Sequence, residues 1–380
     1  MTRVTGAWLN HPAAQQVCVV LKDAGYQAWF VGGCVRNDLL DHPVADLDLT
    51  TDATPDVVVR LFRAAGHKVI PTGIDHGTVT IVAQGTAFEV TTFRRDVATD
   101  GRRAVVAFAD NMQDDARRRD FTMNALYAGA DGVVIDPLGG LPDLFARHVR
   151  FIEDADRRIK EDYLRILRFF RFHAWYGADG IDADGMAAVA ANIEGLQSLS
   201  RERVTAEMFK LLSAPAPASA MASMAATGAL AQILPGADAQ PLAVLEHIEQ
   251  VAGLDPSPIR RLGGLGGDPV TALRLSRQQA LALERMKSGL PLAELAYRWG
   301  SDAAINKAAI TAAALGEELD QRTIAKAQFA ARQLFPLQAA DLMPALDGPA
   351  LGKALKSAEQ RWIDSGFTLT KTDLLDGLRG

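Results

Sequence analysis

Over the first 140 residues the apolar positions alternate between two spacings. Runs such as "AWFVGG", "DLDLTT", "TVTIVAQ", "AFEVTTF" and "VVIDP" read as strands, while "CVRNDLL" and "TPDVVVRLFRAAG" carry apolar residues at helical spacing. This alternation predicts an α/β or α+β domain built on a sheet. From "DLFARHVRFI" onward the pattern is leucine, alanine and arginine at helical spacing, and no strand is expected. The alanine- and proline-rich segment 211–241 predicts a loop or a pair of small helices. The glycine-rich "RLGGLGGDP", 261–269, predicts a joint.

A chain of 380 residues is long enough for two to four domains or sub-domains. Hydrophobic residues make up 48% and charged residues 23%, which favours a folded chain over a disordered one. The net charge of -6 argues against a generally basic nucleic-acid coat, yet positive charge gathers between about 94 and 171: "RRIKEDYLRILRFFR" holds six basic residues and two acidic. Cys18 and Cys34 are too few for a disulfide framework or a metal cluster and are expected to be core thiols. The start has no leader pattern, and no run approaches ~20 apolar residues, so a cytoplasmic protein without membrane contact is expected.

Candidate chemistry begins where the strand "AWFV" meets Gly32-Gly33. Two residues without Cβ let a phosphate approach the backbone at the start of the next helix, although a tight turn also needs glycine. In "ADLDLTT", Asp46 and Asp48 project from one face of a strand, ~6.5–7 Å apart, and could share divalent cations. A solvated edge strand would show the same alternation. Glu89 in "AFEVTTF" could be a third carboxylate in a site where Mg²⁺ activates a hydroxyl and neutralises a triphosphate; pairing with Arg94 or Arg95 is the other reading.

Taken together, "GGCVRNDLLDHPVADLDLTT" resembles the nucleotidyltransferase signature of the superfamily that includes polymerase beta, in the version carried by class II tRNA nucleotidyltransferases and bacterial poly(A) polymerases. Asn37 stands where many members have aspartate, so a charge role at that position is not carried over. The resemblance implies an α+β fold: a nucleotidyltransferase head with a small mixed or antiparallel sheet and helices (1–140), then an all-α neck with a base-selecting motif (141–212), body (213–270) and tRNA-binding tail (271–380). It further implies Asp46 and Asp48 as metal ligands, with Glu89 as a catalytic neighbour, and Gly32, Gly33 and Arg36 at the phosphates.

"RRRDFTMNALY" is similar to the family element by which Arg118, Arg119, Asp120 and Asn124 would hold the sugar and phosphates of the incoming nucleotide, a task that suits guanidinium forks. "IDPLGG", with Asp136 and Gly139-Gly140, resembles the turn linking head to neck. "EDYLRILRFFRF" would set Asp162 and Arg165 three apart on a helix with Arg168 one turn on. Cytosine and adenine both present an amino donor beside a ring-nitrogen acceptor, whereas uracil and guanine present the opposite order. A carboxylate beside a guanidinium therefore pairs with C and A and opposes U and G. The family's Glu-Asp-x-x-Arg motif does this, so CTP and ATP are the implied substrates.

"LSRERVTAEMFKLL" resembles the last family motif, with Glu207 expected to brace the neck helix. The tail resembles those that contact tRNA. Three functions follow: addition of CCA to the tRNA 3′ end with release of pyrophosphate, poly(A) or partial CC- or A-addition, and a silent RNA-binding scaffold. "VIPTGIDHGTVTIV" and the loop 96–111 with Arg102 and Arg103 favour CCA addition. His247 is the one histidine after His173, so the phosphohydrolase site of some relatives is not expected. No protein partner is evident.

Overall fold

The computed structural model describes residues 1–100, 103–178, 180–343 and 345–378. The chain divides into two compact units, Met1–Leu211 with Ala220–Ile233, and Leu212–Ser219 with Leu234–Gly380.

Strands β1 (Trp29–Val31), β2 (Leu47–Thr51), β3 (Lys68–Gly73), β4 (Thr78–Ala83), β5 (Thr86–Thr92), β6 (Arg94–Asp100), β7 (Arg103–Phe108), β8 (Tyr127–Ala128) and β9 (Val134–Ile135) all lie in the first unit. Seven of them form one sheet in the order β3-β4-β5-β2-β1-β8-β9. β2 and β5 are parallel and the other neighbours antiparallel, so the sheet is mixed as expected and broader than a small one. β6 and β7 pair as a separate hairpin, where a loop was expected. β3 escaped the sequence pattern because it is an edge strand with no fully buried residue and a proline, Pro71, in its middle.

Side-chain alternation sets the two faces. Leu47 and Leu49 of β2, Val79, Ile81 and Ala83 of β4, and Phe88 and Val90 of β5 are buried, and Asp48 and Glu89 point away from them. Helices α1 (Pro12–Asp23), α2 (Gly33–Leu39) and α3 (Pro55–Ala64) follow in chain order. α1 and α3 pack on β4 and bury Val17, Leu21, Val58 and Phe62. Each such large side chain contributes roughly 1.5–3 kcal/mol. Cys18 and Cys34 are buried, and burial pushes each thiol up to about 12, so both are inert core residues, as the sequence suggested.

The rest of the unit is helical: α4 (Met112–Arg117), α5 (Leu141–Phe145), α6 (Ala155–Glu161), α7 (Leu164–Tyr176), α8 (Ala183–Asn192) and α9 (Arg201–Leu212). Asp136 accepts from the backbone N–H of Gly140 and Leu141 at 2.8 and 2.9 Å and forms the turn before α5. Phe121, Phe151, Phe169 and Phe172 cluster with ring centres 4.9 to 6.3 Å apart, which fixes α7 against the segment that follows α4. The alanine-rich segment does form two short helices, Ala218–Ala226 and Ala229–Ile233.

The second unit is helical among its described residues, with one core around Leu295, Ile305 and Ile324 and another around Trp362, Ile363 and Leu374. The expected glycine-rich joint is in part a helix, Pro258–Leu265. A Cβ on Gly263 would come within 3.0 Å of Ile310, and one on Gly264 within 3.0 Å of Leu245, so these glycines allow close helix packing. Among the described residues no helix is long and apolar enough to cross a membrane.

Candidate active site

β1 ends at Val31, and Gly32 turns the chain into α2 with a φ of 70°. A Cβ there would lie 3.4 Å from Arg119 Nη1, so glycine leaves the backbone open toward that guanidinium. Asp48 lies on β2 opposite Glu89 of β5 in the parallel register. Asp46 is exposed and stands just before β2 rather than within it. Burial pushes the Asp48 carboxyl up to about 6; Glu89 and Asp46 push the same way, and Arg119 opposes them. Crowded carboxylates beside an open surface are hard oxygen donors that suit a divalent cation, whose charge would offset their mutual repulsion. No group of three or more metal-ligating side chains forms among the described residues, so the fit rests on the two aspartates with Glu89 as their neighbour.

Arg119 is held from behind. Asp115, almost fully buried, accepts from its Nη2 at 3.0 Å, and the Tyr127 hydroxyl accepts from its Nε at 3.3 Å while also donating to Asp115 at 2.9 Å. The Arg119 side chain keeps 24% exposure, enough to meet an anion. Neither Asp115 nor Tyr127 was anticipated from sequence. The four-residue spacing from Asp115 to Arg119 was the available signal. Arg118 is half-buried; its backbone carbonyl accepts from Arg158 and, at 3.1 Å, from Arg165. Arg102 lies outside the described residues, and the side chain of Arg103 is not described.

Arg36, Asn124, Asp120 and Arg168, all expected at the nucleotide, form a continuous internal chain. Buried Arg36 donates to Asn124 Oδ1, to the Tyr176 hydroxyl at 2.8 Å and to Asn37 Oδ1 at 2.8 Å. Asn124 donates to Asp120 Oδ1 at 2.8 Å, and Arg168 Nε donates to Asp120 Oδ2 at 2.7 Å. Burial alone would raise the Asp120 carboxyl, but Arg168 and Asn124 hold it well below the usual carboxylate range. Glu207 accepts from Arg171 at 2.6 Å and lies 4.0 Å from Arg168, the bracing of the neck expected of it. Asn37, the departure from the family pattern, supports Arg36 and donates to the Pro43 carbonyl at 2.8 Å.

The base-selecting stretch differs from its expected geometry. Asp162 is extended, with φ -155° and ψ 106°, and lies between α6 and α7 rather than on one helix with Arg165. Its Oδ1 accepts the Leu164 N–H at 3.1 Å, and its Oδ2 accepts from Arg203 at 2.7 Å. Arg165 binds Glu161 at 2.7 Å together with the Arg158 and Arg118 carbonyls. Glu161 entered the sequence reading only as the first residue of the Glu-Asp-x-x-Arg motif, with no role of its own, and Arg203 was not singled out. Arg203 is 41 residues from Asp162, and no local spacing could have paired them.

Two family models and several curated proteins and solved structures are similar to this chain. Residues 28–150 match the family described as "Poly A polymerase head domain", and residues 180–240 match "Probable RNA and SrmB- binding site of polymerase A". The CCA-adding enzyme of Geobacillus thermodenitrificans is 42% identical over 230 residues, 59% of this chain and 55% of that protein. That of Levilactobacillus brevis is 40% identical over 217 residues, 57% and 53% of the two. The chain spans about half the length of the curated relatives it matches. The crystal structure of the Bacillus stearothermophilus CCA-adding enzyme in complex with CTP superposes with a TM-score of 0.76 at 29% identity, covering 93% of this chain and 92% of that one. The Thermotoga maritima CCA-adding enzyme complexed with tRNA shares the fold at 16% identity, with a TM-score of 0.71 over 100% and 98% of the chains. The nucleotidyltransferase resemblance and the α+β fold read from the sequence are borne out.

Proposed function

We propose that this chain extends the 3′ end of tRNA by C, C and A, using CTP and ATP and releasing pyrophosphate, without a nucleic-acid template. The observation that carries the reading is the bond from Arg165 to the Arg118 carbonyl, which joins the candidate base reader to the segment bearing Arg118 and Arg119. Asp46 and Asp48 would hold the divalent cation, which we take to be Mg²⁺; when bound it supplies an activated 3′-hydroxyl and neutralises phosphate charge. Glu89 tunes the charge beside Asp48. The open backbone at Gly32 and Gly33, together with Arg118 and Arg119, receives the triphosphate.

Asp162 accepts from the amino group of cytosine or adenine, and Arg165 donates to the adjacent ring nitrogen. Arg36, Asn124, Asp120 and Arg168 serve nucleotide binding from within, by holding these two sets of groups in one frame. The four-part organisation, head 1–140, neck 141–212, body 213–270 and tail 271–380, is kept with this reading, the tail contacting tRNA in the cytoplasm.

The test is incubation with Mg²⁺ and a tRNA transcript ending at the discriminator base, supplying CTP, ATP or both. Growth by three nucleotides only with both, lost on Asp48→Ala, is expected. A long A ladder or partial CC or A addition would move the assignment to poly(A) or partial addition, and no growth would leave an RNA-binding scaffold.

A further inference from the structure

We infer that Arg203 is a positioning residue for base choice, holding the Asp162 carboxylate in the orientation that accepts from an amino group. The inference rests on the base-reading role proposed for Asp162 and Arg165. Because Asp162 is extended between α6 and α7, its side chain is oriented by what its two oxygens accept rather than by a place in a helix of its own. One oxygen is anchored by the Leu164 N–H and the other by Arg203. With both oxygens engaged on the protein side, rotation of the carboxylate is arrested, and each oxygen retains a lone pair for the base.

Arg203 is itself well placed to do this. It lies on α9 one turn before Glu207, on the same face, and Glu207 ties α9 to α7 through Arg171 and Arg168. Arg165 draws its partners from Glu161, Arg158 and Arg118, so its orientation does not depend on Arg203. Loss of Arg203 therefore releases the acceptor half of the reader and leaves the donor half in place. A carboxylate free to turn into water no longer confronts the uracil carbonyl with a fixed like pole, so rejection of UTP weakens more than use of CTP. The Arg203 and Asp162 side chains are 46% and 33% exposed, and such a pair adds little to stability, which separates positioning from folding.

The experiment measures kcat/KM for CTP and for UTP on a tRNA transcript ending at the discriminator base, with thermal midpoints, for the full chain and for Arg203→Ala, Arg203→Lys and Asp162→Asn. Arg203→Ala is expected to lower the CTP-to-UTP ratio about tenfold with the midpoint held within about 2 °C, and Arg203→Lys to recover most of it. Equal losses on both nucleotides, or an unchanged ratio while Asp162→Asn collapses it, would overturn the positioning role and leave the base-reading proposal standing. An unchanged ratio in Asp162→Asn would remove the base-reading proposal and this inference with it.

Discussion

The Arg36 guanidinium lies 4.1 Å from the centre of the Tyr176 ring and donates a 2.8 Å hydrogen bond to the hydroxyl of that same residue. A residue of α2, the helix that follows the glycine turn, is thus fastened to the last turn of α7, and the Phe172 ring lies 5.0 Å from the same guanidinium. Arg36→Ala leaves Asn124, Asn37 and Tyr176 without their donor and is expected to cost about 3 kcal/mol or more, read as a lowered denaturation midpoint. Arg36→Lys should recover little, because an ammonium cannot reproduce the planar fork.

Acid should unfasten the same frame through Asp120. Its carboxyl is held below its unfolded value, so it contributes stability above the unfolded range near about pH 4, and that contribution is lost as pH falls toward the folded value. Thermal midpoints between pH 7 and pH 3 should therefore fall more steeply in the native chain than in Asp120→Asn. Parallel slopes would show that Asp120 is not the titrating group.

A divalent cation should act on stability as well as on activity. Asp48 and Glu89 crowd negative charge on one face of the sheet, with Asp46 beside them just before β2, and added Mg²⁺ is expected to raise the thermal midpoint by about 2–4 °C. Asp48→Asn should abolish activity yet equal or exceed the native chain in stability when EDTA is present, and its midpoint should respond little to Mg²⁺.

Asp115→Asn tests the support behind Arg119. With one carboxylate oxygen gone, the guanidinium loses its fixed aim, so KM for both CTP and ATP should rise by about tenfold, with their ratio unchanged. A changed ratio would assign Asp115 to base choice instead.

Much of the first unit was legible because the chemistry lies on regular periods. The alternation of Leu47, Asp48 and Leu49 announces both the buried face of β2 and the carboxylate on the opposite face. β3 was not legible because an exposed edge strand has no apolar period to show. The pairing of β6 with β7 was missed because arginines and aspartates along both segments resemble a surface loop. Spacing singled out Asp162 and Arg165 but placed them on one helix, since a helix break at an aspartate that accepts the first N–H of the next helix leaves the charge pattern unchanged. Arg203 and Tyr176 reach their partners through tertiary packing across 41 and 140 residues, where no local pattern carries the information.

The backbone carbonyl of Arg118 accepts from both Arg158 and Arg165, and that of Arg119 accepts from Arg158 at 2.6 Å. The segments before and after residue 140 are thereby not interchangeable parts. A crossover near residue 140 in a chimera would separate these carbonyls from the guanidiniums that complete them, leaving buried polar groups unmet on both sides of the seam. A crossover after Leu211 keeps every one of those bonds within a single parent, so the loss tied to them is confined to the earlier boundary.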